Sequence, residues 1–135
     1  MDWTPIESPS LDDFEALARD AFAALPSEFR DLTGAVLFRI ADFPDEDVMR
    51  EMQLESEFDI LGLFQGPTLA DHEAGRVHGH QTMIFLYRRP ILDYWAEHHE
   101  ALGAVIRHVL IHEIGHHFGL SDEDMEAIED DSPSP

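Results

Sequence analysis

The segment HEIGHHFGL, residues 112–120, places three histidines and a glutamate in an apolar stretch close to the end of the chain. His112 and His116 are four residues apart, so on an α-helix they lie one turn apart on the same face and can converge on one ion. Glu113 points to the same side and can reach a water molecule on that ion. In this H-E-x-x-H arrangement two neutral imidazoles bind zinc and the carboxylate removes a proton from the attacking water. The spacing therefore predicts a catalytic zinc site.

The residues that follow extend the motif. Gly119 is predicted to end the helix in the left-handed conformation, which only glycine adopts without steric cost. The chain can then turn back and bring Asp122 to the ion as a third, oxygen ligand, with a fourth position left for water. In a competing interpretation Ser121 is the N-cap of a further helix, Asp124 is its capping partner, and Asp122 is an ordinary acidic residue of the first turn. Asp122 can be a metal ligand and a first-turn residue of that helix at the same time.

A metal-free interpretation makes the motif histidines ordinary core residues. That would bury three polar side chains without an obvious partner, which is costly, so metal binding is the better explanation. Among the other histidines, His117 points off the ligand face and is predicted to pack or to support a ligand. His108 lies one turn before His112 and is at most such a supporting residue. His98 and His99 are expected at a solvent-exposed helix start.

A hydrolase with this site also needs a donor for the negative oxygen of the tetrahedral intermediate. His78, His80, Tyr87 and Arg88 are the candidates. The two histidines, like His72, belong to the loop TLADHEAGRVHGHQ, which joins two predicted strands and is long enough to hang over a cleft.

Composition limits the possible partners and compartments. The 135 residues include 8 Lys and Arg against 29 Asp and Glu, which gives a net charge of −21 and disfavours nucleic acids and anionic membranes as partners. A hydrophobic fraction of 44% is normal for a folded domain. There is no cysteine, so any metal must be bound by His, Asp or Glu. The N-terminus, MDWTPIESPS, has no signal-like pattern, and we expect a cytoplasmic protein.

Hydrophobic periodicity predicts an α+β fold in a single domain over residues 1–135, with residues 1–9 and 131–135 flexible. The chain reads as an N-terminal helix that ends at Pro26, three short strands, one long helix that bears the motif, and a brief acidic helix. The strands are AVLFRIADFP, DILGLFQGP and TMIFLYRRP. We expect a small mixed sheet of about three strands packed on the N-terminal and motif helices. The third strand is predicted to be an edge strand that pairs with an extended peptide.

The run HEIGHHFGLSDEDM resembles the signature of small bacterial zinc metallopeptidases with a minimal zincin fold. The LGLFQGPTL stretch, the QTMIFLYRRPI strand and the N-terminal helix that ends at a proline resemble that family in kind and order, over roughly residues 11–128. The resemblance implies a short sheet over the motif helix, zinc bound by His112, His116 and Asp122, and Glu113 as general base. Only 13 residues follow Asp122 in this sequence, so we expect no counterpart of the methionine turn of metzincins, and we expect Met125 in the core.

The motif and the resemblance together predict a zinc metallopeptidase that cleaves peptide or protein substrates, with cationic substrates favoured by the acidic surface. The alternative is a zinc-binding interaction or regulatory module that hydrolyses little, in which the metal mainly stabilises the fold. A cleavage activity that disappears with a chelator and returns with zinc would separate the two.

Overall fold

The structure, a computed structural model, describes residues 2–66, 74–75 and 82–131. Its elements in chain order are α1 (Leu11–Ala23), α2 (Ser27–Arg30), β1 (Val36–Ala41), α3 (Glu46–Glu51), β2 (Gly62–Gln65), β3 (Thr82–Tyr87), α4 (Arg88–His98), α5 (Leu102–His117) and α6 (Asp122–Asp131). Within these residues no helix is long and apolar enough to cross a membrane.

The three strands form one mixed sheet in the order β1-β3-β2. β1 and β3 are parallel, with Val36 beside Thr82, and β2 is antiparallel to β3, with Gly62 beside Leu86. The predicted α+β class and mixed sheet are confirmed. The prediction that the third strand lies at an edge is wrong: both sides of β3 are already hydrogen-bonded, so it has no free edge for a peptide. β1 and β2 are the edge strands.

One face of the sheet is covered by helices, as the periodicity of the N-terminal segment predicts. α1 begins with a capping box, in which Ser10 Oγ accepts from the Asp13 N–H at 3.1 Å and the Asp13 carboxylate accepts from the Ser10 N–H at 2.8 Å. Phe14 and Ala18 are fully buried where α1 packs against β1 and α5. Ile84 of β3 points into the same core, because alternate residues of a strand face the same side.

The one long helix that was predicted to bear the motif is two helices, α4 and α5. α4 ends at His98, and His99 has the left-handed backbone conformation (φ 54°) that stops it. α5 starts after Ala101, where the apolar stripe resumes. His98 and His99 therefore lie at the end of a helix and not at a helix start, although both are exposed as predicted. The His98 ring stacks on Tyr94, with 3.8 Å between ring centroids.

The candidate metal centre

The motif helix α5 ends in the way that the sequence predicts. Gly119 has φ +74°. Its N–H donates to the His116 carbonyl at 3.2 Å, and the Leu120 N–H donates to the Gly115 carbonyl at 2.8 Å. This pair of bonds is a Schellman motif, which satisfies the last carbonyls of the helix and reverses the chain. Residues 120–131 are thereby directed back along α5.

The helix that follows, α6, begins with the predicted cap. The Asp124 N–H donates to Ser121 Oγ at 3.1 Å, and the Ser121 N–H donates to the Asp124 carboxylate at 3.3 Å. Asp122 is the first residue of α6 and is exposed. The capping interpretation is confirmed, and Asp122 occupies the first-turn position that it assigned. A role for Asp122 as a metal ligand stays a prediction.

A glycine on α5 allows α6 to approach closely. A Cβ atom at Gly115 would lie 2.4 Å from Sδ and 2.7 Å from Cγ of Met125, and Met125 is fully buried. The prediction that Met125 is a core residue is confirmed. The contact fixes α6 against the motif helix one turn after it begins.

The motif side chains lie along α5 at different depths. His112 is partly buried and His116 is exposed, with 5.6 Å between their ring centroids. Burial, followed by the neighbouring His108, lowers the pKa of His112. Neutral imidazole, which is the form that binds metals, is therefore favoured at this position. The His117 ring packs on Phe64 of β2 at 4.1 Å between centroids, as expected for a packing residue.

Glu113 lies between the two histidines in sequence and is partly buried. Burial raises the pKa of its carboxyl group from 4.5 to about 7. A carboxyl group with a pKa near neutrality can accept and return a proton at physiological pH, as a general base must. The environment of Glu113 therefore suits the role that the motif predicts for it.

Two further side chains, His108 and Glu129, lie close to His112. Glu129 Oε1 on α6 lies 2.6 Å from His108 Nδ1 and 3.3 Å from His112 Nε2. The His108 and His112 rings are 4.1 Å apart between centroids. Across residues 2–66, 74–75 and 82–131, this is the only trio of metal-binding side chains whose ligand atoms all lie within 4.8 Å of one another.

His112, His116 and Asp122 do not form such a group in this structure, so this ligand set remains a prediction. The sequence interpretation gave His108 a supporting role and missed Glu129. A signal was present: Met125 and Glu129 are four residues apart, so a helix that buries Met125 against α5 directs Glu129 to the same side.

The described candidates for the oxyanion donor are Tyr87 and Arg88, because His78 and His80, like His72, lie outside the described residues. The Arg88 guanidinium donates to the Pro9 carbonyl at 2.6 Å, to Asp42 Oδ1 at 3.0 Å and to Ser8 Oγ at 3.0 Å. These bonds attach residues 8–9 to the start of α4, and they already engage Nε and both terminal nitrogens of Arg88. Arg88 is therefore the weaker candidate.

Tyr87, the last residue of β3, is only 2% exposed. Burial raises the pKa of its phenol to about 12, and the negative charges of Asp45 and Glu113 act in the same direction. The phenol therefore keeps its proton at neutral pH.

Tyr87 lines a cleft of about 330 Å³ between α3 and the sheet face that does not carry the core. Phe43 and Phe85 provide further aromatic surface, and the Phe85 and Tyr87 rings are stacked with centroids 6.5 Å apart. The acidic residues of this cleft are Asp45, Asp47 and Glu51. Aromatic faces and carboxylates together suit a cationic side chain.

The fold and the site together define a class: a small α+β domain with an H-E-x-x-H helix packed against a short mixed sheet. The family model for zincin-like metallopeptidases matches residues 33–132, and the chain belongs to this family. No curated protein matches the chain at a significant level.

The donor chemistry of the site fits the zinc that the family name implies. The chain has no thiol, so its available ligands are imidazole nitrogens and carboxylate oxygens, both of which bind zinc. His112 favours the neutral form, and carboxylates on α6 lie next to α5 in sequence and in space. The described residues of α5 and α6 are thus compatible with a bound zinc ion.

Proposed function

We propose that this protein is a zinc-dependent metallopeptidase that cleaves peptide bonds in cationic substrates. His112 and His116, with Asp122, would hold the zinc. The observation that carries the proposal is the partly buried Glu113 carboxyl, with its pKa raised to about 7, on the same helix as the two histidines in a zincin-like metallopeptidase chain. When bound, zinc supplies Lewis acidity, which polarises a carbonyl group and makes water more acidic.

The protein side chains supply proton transfer and orientation. Glu113 accepts the proton of the attacking water and hands it to the leaving amine, which requires a pKa near the operating pH. Tyr87 donates a hydrogen bond to the oxygen on which negative charge develops, because its phenol stays protonated. The location of Tyr87 at the cleft supports this second assignment.

The substrate class follows from the cleft. A lysine or arginine side chain of the substrate would lie on Phe85, which is partly exposed, with its charge near Asp45 and Glu51. The Arg89 guanidinium lies 5.8 Å from the centroid of the Phe43 ring, and this contact within the chain supports the proposal that a cation can lie beside the aromatic surface.

Glu113→Gln tests the catalytic role. Glutamine has nearly the same shape and cannot act as a base, so turnover should fall by about 10²-fold or more while zinc still binds. The measurement is cleavage of an unbiased peptide library by zinc-loaded protein, together with elemental analysis. Glu97→Gln, at an exposed position on α4, is the control and should retain activity. Loss of zinc in Glu113→Gln would contradict the assigned role. Full zinc occupancy without any cleavage by the wild-type protein would favour the alternative, a zinc-binding interaction or regulatory module.

A further inference from the structure

We propose that His108, His112 and Glu129 form a second divalent-cation site, which shares His112 with the H-E-x-x-H set. The two sites are alternatives, because one ring nitrogen can bind only one ion. This second site concerns metal binding alone, so the proposal is independent of whether the protein is a peptidase.

The separation between His112 and Glu129 fits a small cation, and the separation between His108 and Glu129 is shorter. Two ligands about 2.0–2.1 Å from a tetrahedral zinc ion lie about 3.3 Å from each other. His112 Nε2 and Glu129 Oε1 are 3.3 Å apart. His108 Nδ1, at 2.6 Å from the same oxygen, is at hydrogen-bond distance. This bond must lengthen by roughly 0.7 Å for His108 to become a ligand. The His108 side chain is 46% exposed and has room to make that change.

Glu129 is held in place by contacts of its helix that do not involve its carboxylate. Arg107, next to His108 on α5, donates to the backbone carbonyls of Ile128 and Glu129. One turn earlier, Met125 packs on Gly115. The carboxylate is thus presented to the two histidines by a helix fixed at two points, which lowers the entropy cost of assembling the site.

The three ligands are two imidazoles and one carboxylate, a set that binds zinc and leaves a fourth position for water. His108, His112 and His116 lie at successive turns of α5, so His112 belongs to two overlapping i, i+4 pairs. A cation between His108 and His112 removes His112 from the other pair. If the proposed function is right, occupancy of this second site is therefore inhibitory.

Zinc binding in a His116→Ala background tests the site, because that change removes a ligand of the H-E-x-x-H set only. The proposal expects His116→Ala to retain a measurable zinc site, seen by competition with a chromophoric chelator and by the visible absorption of bound Co²⁺. Adding Glu129→Gln or His108→Asn should then weaken binding by at least about tenfold, since each removes a direct ligand. The metal readouts require no turnover.

Glu126→Gln in the same background is the matched control: it removes one negative charge from the same helix at an exposed position, and it should leave affinity unchanged. Circular dichroism and thermal unfolding establish that each variant is folded, and Glu129→Gln keeps the shape of the side chain in case His108→Asn does not fold. Complete loss of zinc in His116→Ala, or equal affinity with and without Glu129→Gln, would overturn the proposal. Neither result bears on the Glu113→Gln cleavage test, so the two proposals fail independently.

Discussion

Met125 packs directly onto Gly115, so that the last helix rests on the motif helix at a position with no side chain. We expect Gly115→Ala to lower the free energy of unfolding by about 1–3 kcal/mol, because the new methyl group would overlap a fully buried methionine. Urea denaturation measures the change. In a Met125→Ala background the same substitution should be neutral or stabilising by about 0.5–1 kcal/mol, since alanine favours helix more than glycine. An equal loss of unfolding free energy in the two backgrounds would contradict the packing of Met125 on Gly115.

The raised pKa of Glu113 predicts a pH dependence of stability in the metal-free protein. A carboxyl group whose pKa is about 7 when folded and 4.5 when unfolded binds more protons in the folded state between those values. Its contribution is present in full below pH 4.5 and is lost as the pH rises through 7. The difference amounts to about 3 kcal/mol at most.

The comparison of wild type with Glu113→Gln, in the presence of a chelator, isolates this contribution. Between pH 4.5 and pH 8 the unfolding free energy of the wild type should fall relative to that of the variant. His112, whose pKa is lowered, contributes with the opposite sign but is common to both proteins. Parallel pH profiles for the two proteins would mean that Glu113 is ionised as readily in the folded as in the unfolded chain.

Asp122→Ala tests the third ligand of the H-E-x-x-H set. The experiment belongs in a Glu129→Gln background, so that the second cation site does not hold the metal. If Asp122 is a ligand, zinc affinity should fall by several orders of magnitude. If it is only a first-turn acid, the change costs about 0.3–1 kcal/mol of helix stability and leaves the metal bound. Glu123→Ala is the matched control, whereas Asp124 is unsuitable because it caps α6.

The acidic cleft predicts a preference for cationic peptides. Asp45→Asn with Glu51→Gln should lower kcat/KM for Lys- or Arg-containing peptides by about three- to tenfold at low salt and should have little effect on neutral peptides. Asparagine at position 45 retains the cap of α3, where Asp45 accepts from the Val48 N–H at 2.9 Å. Glu46→Gln removes a charge from the same helix outside the cleft and is the control. An equal effect of the control on cationic peptides would assign the preference to net charge alone.

Local sequence signals predicted the parts of the fold that local physics determines. The Ser121–Asp124 cap, the left-handed Gly119 and the apolar periodicity of the N-terminal helix each act within a few residues, and all three are confirmed. The division of the long helix at His99 was missed because a left-handed histidine carries no composition signal. Glycine and asparagine are the residues that normally mark such a stop.

Features that depend on tertiary packing were predicted less well. The pattern of β3 shows which residues face the core, but strand order depends on which other strands pair with it, and the sequence interpretation placed β3 at an edge. The proximity of Glu129 to His108 and His112 depends on the angle at which α6 returns along α5. That angle follows from the Schellman turn and the Gly115 contact acting together, and neither alone specifies it.

The central strand of the sheet is the last of the three to be synthesised. β1 and β2 each pair with β3 and lie on opposite sides of it, and every β1–β3 partner is 46 residues away in sequence (Val36 with Thr82, Ala41 with Tyr87). While the chain emerges from the ribosome, the two earlier strands have no partner in this sheet until residue 87 is free. Closing so long a segment costs entropy before any pairing energy is gained. We therefore expect folding to be slow for a domain of this size, with the unpaired strands exposed to aggregation in the meantime.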